Sequence, residues 1–499
     1  DYCERALAAG FTIRLADDVF VFHEGEASFG ADTAVLKATN RDVLDARHPG
    51  FFAKVARFIE ENPLRAVHEN LRLALHRRTG RDPGLLVLLH ASFDQPAGGT
   101  EFHVRQLIET LALPRVVVAV PIDDTIHLTE VIDGRLELAN AYRFPLPRPV
   151  ERFMRDRRDV REALDAIVRL FGVDTVHIQH LLSWPIDVWR GFAAAGLPFV
   201  VTLHDYFCVC PSLNLINVAT ETLCCAAPEG PPLDPSLCLR ALFHEMTLAA
   251  PADLRGFAQR HREEFGALLA AAQAIAVPSQ AVRQIVERTH AITPERVHVV
   301  PHGYAPPPAM ADRAAAGPRL RAAVLGVISH PTKGPRHYRE LLERTRHLPI
   351  EWHIFGSTEL GGYDTVLSAL GLGDRLVLHG AYRRGTIVDA LRTHGIDVTV
   401  HLPAAPETFS FTLSESLIAG VPAIVNDRGA LPERIAACGA GVAVTSPAEA
   451  AAVLERLAAD RTAMTALQQR AAAFVHTSLA TMAATYGALY APLRSSAPA

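Results

Sequence analysis

One stretch of the chain, PETFSFTLSESLIAGVPAIVNDRGALPER (406–434), gathers acids, hydroxyls and aromatic rings at spacings that suit chemistry. Glu407 and Glu415 stand with seven residues between them, and Phe409, Ser410 and Phe411 sit where a strand should end and a helix begin. Thr412 or Ser414 has the side chain to cap that helix. The first amides of a helix have no partner within it and carry the positive end of its dipole, so residues 409–412 suit an anion such as phosphate. Helical spacing puts Glu415 about one turn inside, where its carboxylate can accept hydrogen bonds from ligand hydroxyls. Taken alone, the two acids read equally well as a solvated loop acid and a capping-turn acid. A second concentration is sulfur. Cys208, Cys210, Cys224, Cys225 and Cys238 crowd a largely loop-like segment. Thiolates at that density can bind zinc as a structural cluster, above all Cys210, Cys224, Cys225 and Cys238. The spacing lacks paired C-x2-C knuckles, so plain buried or loop thiols and a redox-labile pair stay as competing readings.

The elements that must position these groups follow from apolar patterning. LLVLLH (85–90), VVVAVP (116–121), TVHIQH (175–180), FVVTLH (199–204), AIAVPS (274–279) and VHVVPH (297–302) are near-continuous apolar runs. Such runs mean strands buried on both faces, as in a parallel sheet. YAPPPAMADRAAAGP (304–318) has no periodicity and reads as a linker. A second series follows in RAAVLGVIS, IEWHIFGS, RLVLHGAY, DVTVHLP and PAIVND, then an Ala-rich helical tail. The expected fold class is α/β, with two doubly wound, Rossmann-like domains over residues 82–304 and 318–475. A final helix (476–495) is expected to pack back on the first domain. Ligands belong outside the carboxyl ends of the strands, in the cleft between the domains. Residues 1–80 mix a short strand pattern with helical segments and close on the polar boundary HRRTGRDPG, an α+β piece.

Composition excludes several classes of function. The chain has 499 residues, 49% apolar and 21% charged, which rules out wholesale disorder. A net charge of −5 argues against a nucleic-acid binder relying on bulk electrostatics. No apolar run reaches the ~18–20 residues that span a bilayer. Seven cysteines in so long a chain do not make a secreted disulfide scaffold, and an odd count leaves at least one unpaired. No G-x-G-x-x-G follows a strand, and neither G-x-x-x-x-G-K-[ST] nor G-x-S-x-G occurs, which removes the dehydrogenase, P-loop and hydrolase templates. The chain opens at Asp1 in mid-pattern with no charged or apolar leader, and reads as a C-terminal piece of a longer polypeptide.

The Glu-x7-Glu pattern followed by AGVPAIVNDRGALPE resembles the retaining nucleotide-sugar glycosyltransferases of the GT-B fold, family 4. Upstream motifs match in order over about residues 82–495. DQPAGGTEFHVRQLIETLA (94–112) is similar to the family's glycine loop, VTLHDYFCVCP (201–211) to its His-Asp strand end, and HPTKG (330–334) to its lysine-glycine turn. The resemblance implies that Gly98 and Gly99 let the backbone approach a diphosphate, and that Lys333 stabilises this leaving group. It implies that Glu407 contacts hydroxyls of the donor sugar and Glu415 those of the ribose. His204 would lie at the sugar end, its neutral ring orienting a hydroxyl. His330, Phe409, Ser410, Phe411 and Thr412 would line the donor site, and the base would meet residues 379–382, including Tyr382, and the FGST loop. Relatives carry an arginine five residues before the lysine; here position 328 is Ile, leaving His330 and Arg336 as nearby cations.

The activity implied by the resemblance is that of a retaining, hexosyltransferase-type enzyme moving a sugar from a nucleotide-diphosphate donor to a glycan or lipid-linked acceptor. It would serve bacterial surface polysaccharide biosynthesis in the cytoplasm, at times at the inner face of the membrane, and its donor cleft would need no metal. The rival readings are a catalytically silent nucleotide-sugar-binding module and a non-transferase enzyme on the same fold. DYCERALAAGFTIRLADDVFVFHEGEASFG (1–30) resembles the carboxyl end of an inverting GT-A glycosyltransferase of family 2, with Asp1 and His23 at matching positions. That resemblance implies a divalent cation only for this incomplete part, and a parent enzyme adding sugars in succession.

Overall fold

The computed structural model describes residues 1–14, 19, 33–61, 63, 84–92, 98–224, 227, 234–305, 309–315 and 317–494. His23, Cys225 and most of the strand read over 12–23 lie outside these. The chain forms two compact units, residues 1–75 and 76–499.

The first unit contributes helices Tyr2–Ala8, Thr33–Arg47 and Phe51–Glu61. Asp1 stands at the N-cap of the first, with its carboxylate between Arg5 (3.2 Å), Arg47 (3.6 Å) and His48 (2.8 Å). Lys54 reaches Glu4 at 3.0 Å, so the end of the first helix is held by charge, with no buried side chain of its own.

The second unit holds two sheets. In the first, strands β1 (Gly84–Leu88), β2 (Val116–Ile122), β3 (Thr125–Ile132), β4 (Arg135–Pro145), β5 (Val173–Ile178) and β6 (Phe199–Thr202) precede a small hairpin, β7 (Ile216–Asn217) and β8 (Thr222–Leu223). Strands β9 (Ala274–Val277) and β10 (Val297–Val299) complete it, in the order β10-β9-β6-β5-β1-β2-β3-β4. The six continuous apolar runs are its six parallel strands. Side chains of β1, β5, β6 and β9 are buried on both faces, while the edge strand β10 is partly open. The antiparallel extension β3–β4 was not among those runs, because β3 alternates buried and half-buried positions, with one face toward water.

The second sheet contains β11 (Leu320–Leu325), β12 (Ile350–Phe355), β13 (Leu376–Gly380), β14 (Val398–His401), β15 (Ala423–Asn426) and β16 (Gly441–Val444). All are parallel, in the order β13-β12-β11-β14-β15-β16. This is the doubly wound order that leaves a crevice where the chain reverses direction across the sheet, between β11 and β14. Trp352, Ile354, Leu341 and Val400 are fully buried in its core.

The last helix, Leu479–Arg494, returns to the first domain. Met482, Ala483, Tyr486 and Tyr490 share a core with Val87, Leu89, Val104 and Val200. Both tyrosines bring a hydroxyl into that core and both are satisfied there. Tyr490 Oη meets His177 Nδ1 at 2.6 Å, and Tyr486 Oη meets Thr202 Oγ1 at 3.1 Å. His177 Nε2 meets the same threonine at 2.7 Å. Gln179 Nε2 donates to His177 Nδ1 (3.1 Å), and Gln179 Oε1 accepts from His204 Nε2 (2.6 Å). A buried hydrogen-bonded chain thus runs from the final helix to the end of β6. Tyr490→Phe removes one partner of a buried ring nitrogen and should lower the unfolding free energy by about 1–2 kcal/mol. Urea unfolding checks this; an unchanged midpoint would take the hydroxyl out of the account.

Candidate active site

Loops beyond the carboxyl ends of both sheets enclose a cleft of about 790 Å³. At its floor β11 and β12 end in Gly326 and Gly356, and a Cβ on Gly356 would fall 1.7 Å from the Gly326 carbonyl oxygen. Only glycine permits that approach. The first domain contributes Gly98 and Gly99 after β1, and His204 after β6. Gly98 opens the helix Gly99–Leu111, and its amide donates to Glu101 Oε2 at 2.9 Å.

The acidic motif folds back on itself. Glu407 pairs with Gly429 in a single β-bridge, and its carbonyl accepts from the Ala430 amide at 2.7 Å. Gly429 has φ 64°, and a Cβ there would lie 2.3 Å from the Glu407 oxygen, so the backbone of the acid is set by a glycine far along the motif. Its carboxylate receives Lys333 Nζ at 2.6 Å. Lys333 ends the short turn Pro331–Lys333 after β11.

Beyond Glu407 the helix Phe411–Ile418 begins at Ser410, whose hydroxyl accepts from the Leu413 amide. The amides of Phe411 and Thr412, first in the helix, have no partner within it, and both residues line the cleft. Arg434 fixes this turn. Its guanidinium donates to the carbonyls of Phe409 (2.8 Å) and Ser410 (2.7 Å) and to Ser414 Oγ (2.8 Å), and it covers the Phe409 ring at 4.1 Å. One turn on, Glu415 is almost fully buried and accepts from Tyr304 Oη at 3.2 Å. Burial raises its pKa to about 7, against the pull of Arg384 and the tyrosine hydroxyl.

His204 is buried beside His103 and His302, and its carbonyl accepts from Thr408 Oγ1 at 2.7 Å across the cleft. With Nε2–H donated to Gln179, Nδ1 remains an acceptor. Burial holds its pKa well below the usual range, so the ring is neutral.

Glu407, Lys333, His204, Gly98, Gly99, Phe409, Ser410, Phe411, Thr412, Glu415 and Tyr382 all line this one cleft. His330 does not. Its Nδ1 caps the turn instead, accepting from the Thr332 amide and meeting Thr332 Oγ1 at 2.8 Å, so that nitrogen is engaged locally. Arg336 is turned to Glu221 and the Thr220 carbonyl. Ile328 is packed in the core of the second domain, where no cation could sit. The cations that line the cleft besides Lys333 are Arg383 and Arg384, on the loop after β13. Arg384 lies over the rings of Phe102 (4.3 Å) and Phe411 (5.1 Å), one from each domain. The expected base-binding residues end at Tyr382, although the doublet Arg383–Arg384 comes directly after it. Arg434 carried no signal, since its partners are found only once the chain is folded. Cys208, Cys210, Cys224 and Cys238 are buried, and Cys210 hydrogen-bonds to Cys224. Among the described residues they form no group of three convergent ligands, and Cys225 lies outside those residues.

Alongside this geometry, residues 97–306 match the model of Glycosyltransferase Family 4, and residues 322–474 that of Glycosyl transferases group 1. Solved structures share the fold. Anabaena HepE in complex with UDP has a TM-score of 0.53 at 14% identity, covering 82% of this chain and 100% of its own. Sucrose-phosphate synthase from Thermosynechococcus elongatus gives 0.54 at 16%, covering 83% and 99%. WaaG, a glycosyltransferase involved in lipopolysaccharide biosynthesis, gives 0.50 at 14%, covering 82% and 99%. No curated protein sequence matches the chain. Among the described residues no helix is long and apolar enough to cross a membrane.

Buried histidines, most of them behind the cleft lining, make the fold acid-sensitive. Burial lowers His90, His177 and His401 to about 3, and His103 and His302 well below their ordinary value. Below pH 6.5 the unfolded chain takes up protons that these rings refuse when folded, so stability is lost as pH falls from there toward 3. The slope approaches about 1.4 kcal/mol per pH unit for each such histidine. Urea midpoints at pH 7.5, 6.5 and 5.5 should therefore drop with increasing steepness; a flat series would mean these rings are charged in the folded state.

Proposed function

We propose that residues 97–306 and 322–474, which match glycosyltransferase family models and share the fold of GT-B glycosyltransferases, together form a retaining, hexosyltransferase-type enzyme. The observation that carries this is the convergence of Glu407, Lys333, the amides of Phe411 and Thr412, and Glu415 in one interdomain cleft. A nucleoside diphosphate sugar fits that set from end to end. Lys333 and the helix amides take the diphosphate, Glu415 accepts from the ribose hydroxyls, Glu407 accepts from sugar hydroxyls, and the base meets the loop at Tyr382. Arg384 is the second cation, supplied from the loop after β13 in place of an arginine at position 328. Because side chains and amides neutralise the leaving group, the reading calls for no metal in this cleft.

The chemistry follows from the placement. As the bond from the anomeric carbon to the diphosphate breaks, negative charge grows on the leaving oxygen, where Lys333 and the amides lie ready. The acceptor hydroxyl attacks from the same face, and the departing diphosphate takes its proton, so the anomeric configuration is kept. Glu407 and Lys333, paired in the ligand-free protein, separate to serve sugar and phosphate. His204 orients a sugar hydroxyl through Nδ1. HepE was solved with UDP and UDP-glucose, which favours a uridine diphosphate sugar, and the part played by WaaG favours a glycan or lipid-linked acceptor in bacterial surface polysaccharide assembly. The site of action would then be the cytoplasm, at the inner membrane face when the acceptor is lipid-linked. Residues 1–75 would be the end of a GT-A transferase acting in succession with the first, with a divalent cation needed only there.

The test is release of nucleoside diphosphate by the full chain from a panel of UDP- and GDP-sugars, with product anomers read by NMR. Wild type should be donor-selective, and Glu407→Gln or Lys333→Ala should lower kcat by about 10²–10³ while the donor still binds. Binding without turnover for every donor and acceptor would favour the silent sugar-nucleotide module. A second measurement isolates the ribose contact. If the nucleotide binds only the ionised Glu415, affinity is lost as pH falls through 7 and the dissociation constant for UDP rises about tenfold between pH 8 and 6. Calorimetry should show that rise in wild type and a flat, weaker profile in Glu415→Gln.

A further inference from the structure

In the second domain, outside the residues that line the cleft, three histidines converge. His353 on β12, His379 on β13 and His394 after the helix Ile387–Thr393 each offer a ring nitrogen, and these atoms lie within 4.8 Å of one another. They are the one such group of three among the described residues. The geometry points to a divalent metal site, with zinc as the ion its chemistry suits best.

The arrangement has the parts such a site needs. His353 Nε2 meets Glu351 Oε1 at 3.0 Å, which leaves Nδ1 with its lone pair facing His379 Nε2 at 2.9 Å. A carboxylate on the far nitrogen is how proteins orient a metal-binding imidazole and raise its basicity. His379 is the residue skipped by the ladder, since Ile354 pairs with Leu378 and Phe355 with Gly380. A bulge of this kind re-aims a side chain. Phe355 stacks flat on the His379 ring, centroids 4.0 Å apart and planes within 3°, and fixes it. His394 closes the third side, its ring 4.6 Å from that of His379. The three differ usefully in access: His353 is buried, His379 half-buried and His394 exposed, so an ion can enter and keep a water as fourth ligand.

Without metal, the 2.9 Å contact is a hydrogen bond from His379 Nε2–H to His353 Nδ1. Two nitrogens on a tetrahedral zinc ion stand roughly 3.3 Å apart, so a shift of a few tenths of an ångström admits the ion. The proton on His379 moves to its Nδ1, and no net proton is released. Imidazole nitrogens with a second-shell carboxylate suit zinc, and also copper or nickel.

The site sits at both ends of one segment. His379 immediately precedes the loop carrying Tyr382, Arg383 and Arg384, and His394 follows the helix to which that loop leads. A metal bound here ties the beginning and end of the loop-helix segment to β12. Metal binding by the three rings does not depend on what the cleft binds.

The experiment uses the full chain, free of any histidine tag, stripped with chelator and titrated with Co²⁺ and Zn²⁺. One Co²⁺ per chain should give the visible absorption of a four-coordinate ion and be displaced by Zn²⁺. Zn²⁺ should raise the melting temperature and slow amide exchange over residues 380–394. His394→Ala, at an exposed position, should weaken binding at least tenfold, and His379→Ala with His394→Ala should abolish the absorption with the fold intact by circular dichroism. Failure of wild type to bind Co²⁺ or Zn²⁺ stoichiometrically, or equal binding by the double variant, would overturn the site. Glu351→Gln should weaken binding while sparing the absorption, and a variant indistinguishable from wild type would remove the orienting role of the carboxylate.

Discussion

The turn from Glu407 to Thr412 can exist only because residues some twenty positions later fold back and hold it. Arg434 draws in the carbonyls of Phe409 and Ser410, and Gly429 bridges the backbone of Glu407. Peptide groups are rigid planes, so tying two successive carbonyls to one guanidinium also fixes where the neighbouring amides point. Ser410 stands at φ 73°, a conformation that a serine adopts at a cost and that needs such external support. Once the turn is held, the helix must start at Phe411, its unpaired amides must meet the cleft, and Glu415 must be buried one turn in. The acid, the anion seat and the second acid are thus one mechanical piece.

That piece also contacts the other domain. Thr408 donates to the His204 carbonyl, and Glu433, from the same motif, accepts the amides of Gln280 and Ala281 that open the helix Gln280–Thr289. Phe411 meets Phe102 edge-on at 5.3 Å. Tyr304, leading out of the first domain, ends on Glu415. Each contact joins a group in the donor half to one in the other half, so the cleft is braced by the residues that line it. The chain of side chains from Tyr490 through His177 and Gln179 to His204 does the same from the far side. It lets a helix at the end of the sequence set the tautomer of a ring at the centre of the site.

How much of this was legible in the sequence depends on how far apart the partners are. Parallel strands buried on both faces leave continuous apolar runs, so the parallel strands of the first sheet and β11–β15 of the second could be read directly; β3 alternates, and the short, partly buried edge strand β16 leaves no such run. The motif 406–434 was legible because its acids, hydroxyls and aromatic rings stand close together in sequence, although the pairing of Arg434 with the turn at 409–410 was not. Gly98, Gly99, Lys333 and His204 were legible only through resemblance, as each sits at a strand end whose neighbours come from distant segments. His330 caps its own turn through Nδ1, and sequence does not distinguish a histidine that caps from one that binds a ligand. Arg384 was missed for the opposite reason. Nothing local marks it, and its place is defined by Phe102 in the other domain.

If Arg384 serves as the second cation in the proposed reaction, its placement differs in kind from that of an arginine at position 328. In the family pattern such an arginine shares the strand-end loop with the lysine, so one domain alone would place it, whereas here that position holds a buried isoleucine. Arg384 instead lies over one aromatic ring from each domain. A guanidinium on a ring face gains about 0.5–2 kcal/mol, more as water is excluded, so its position depends on how closely the domains approach. The hold of such a contact on the charge would weaken if the two rings were drawn apart, and here they touch. With the rings together, the leaving group would meet its second cation at the moment the site is closed to water, which is when stabilising it is most useful and hydrolysis is least able to compete.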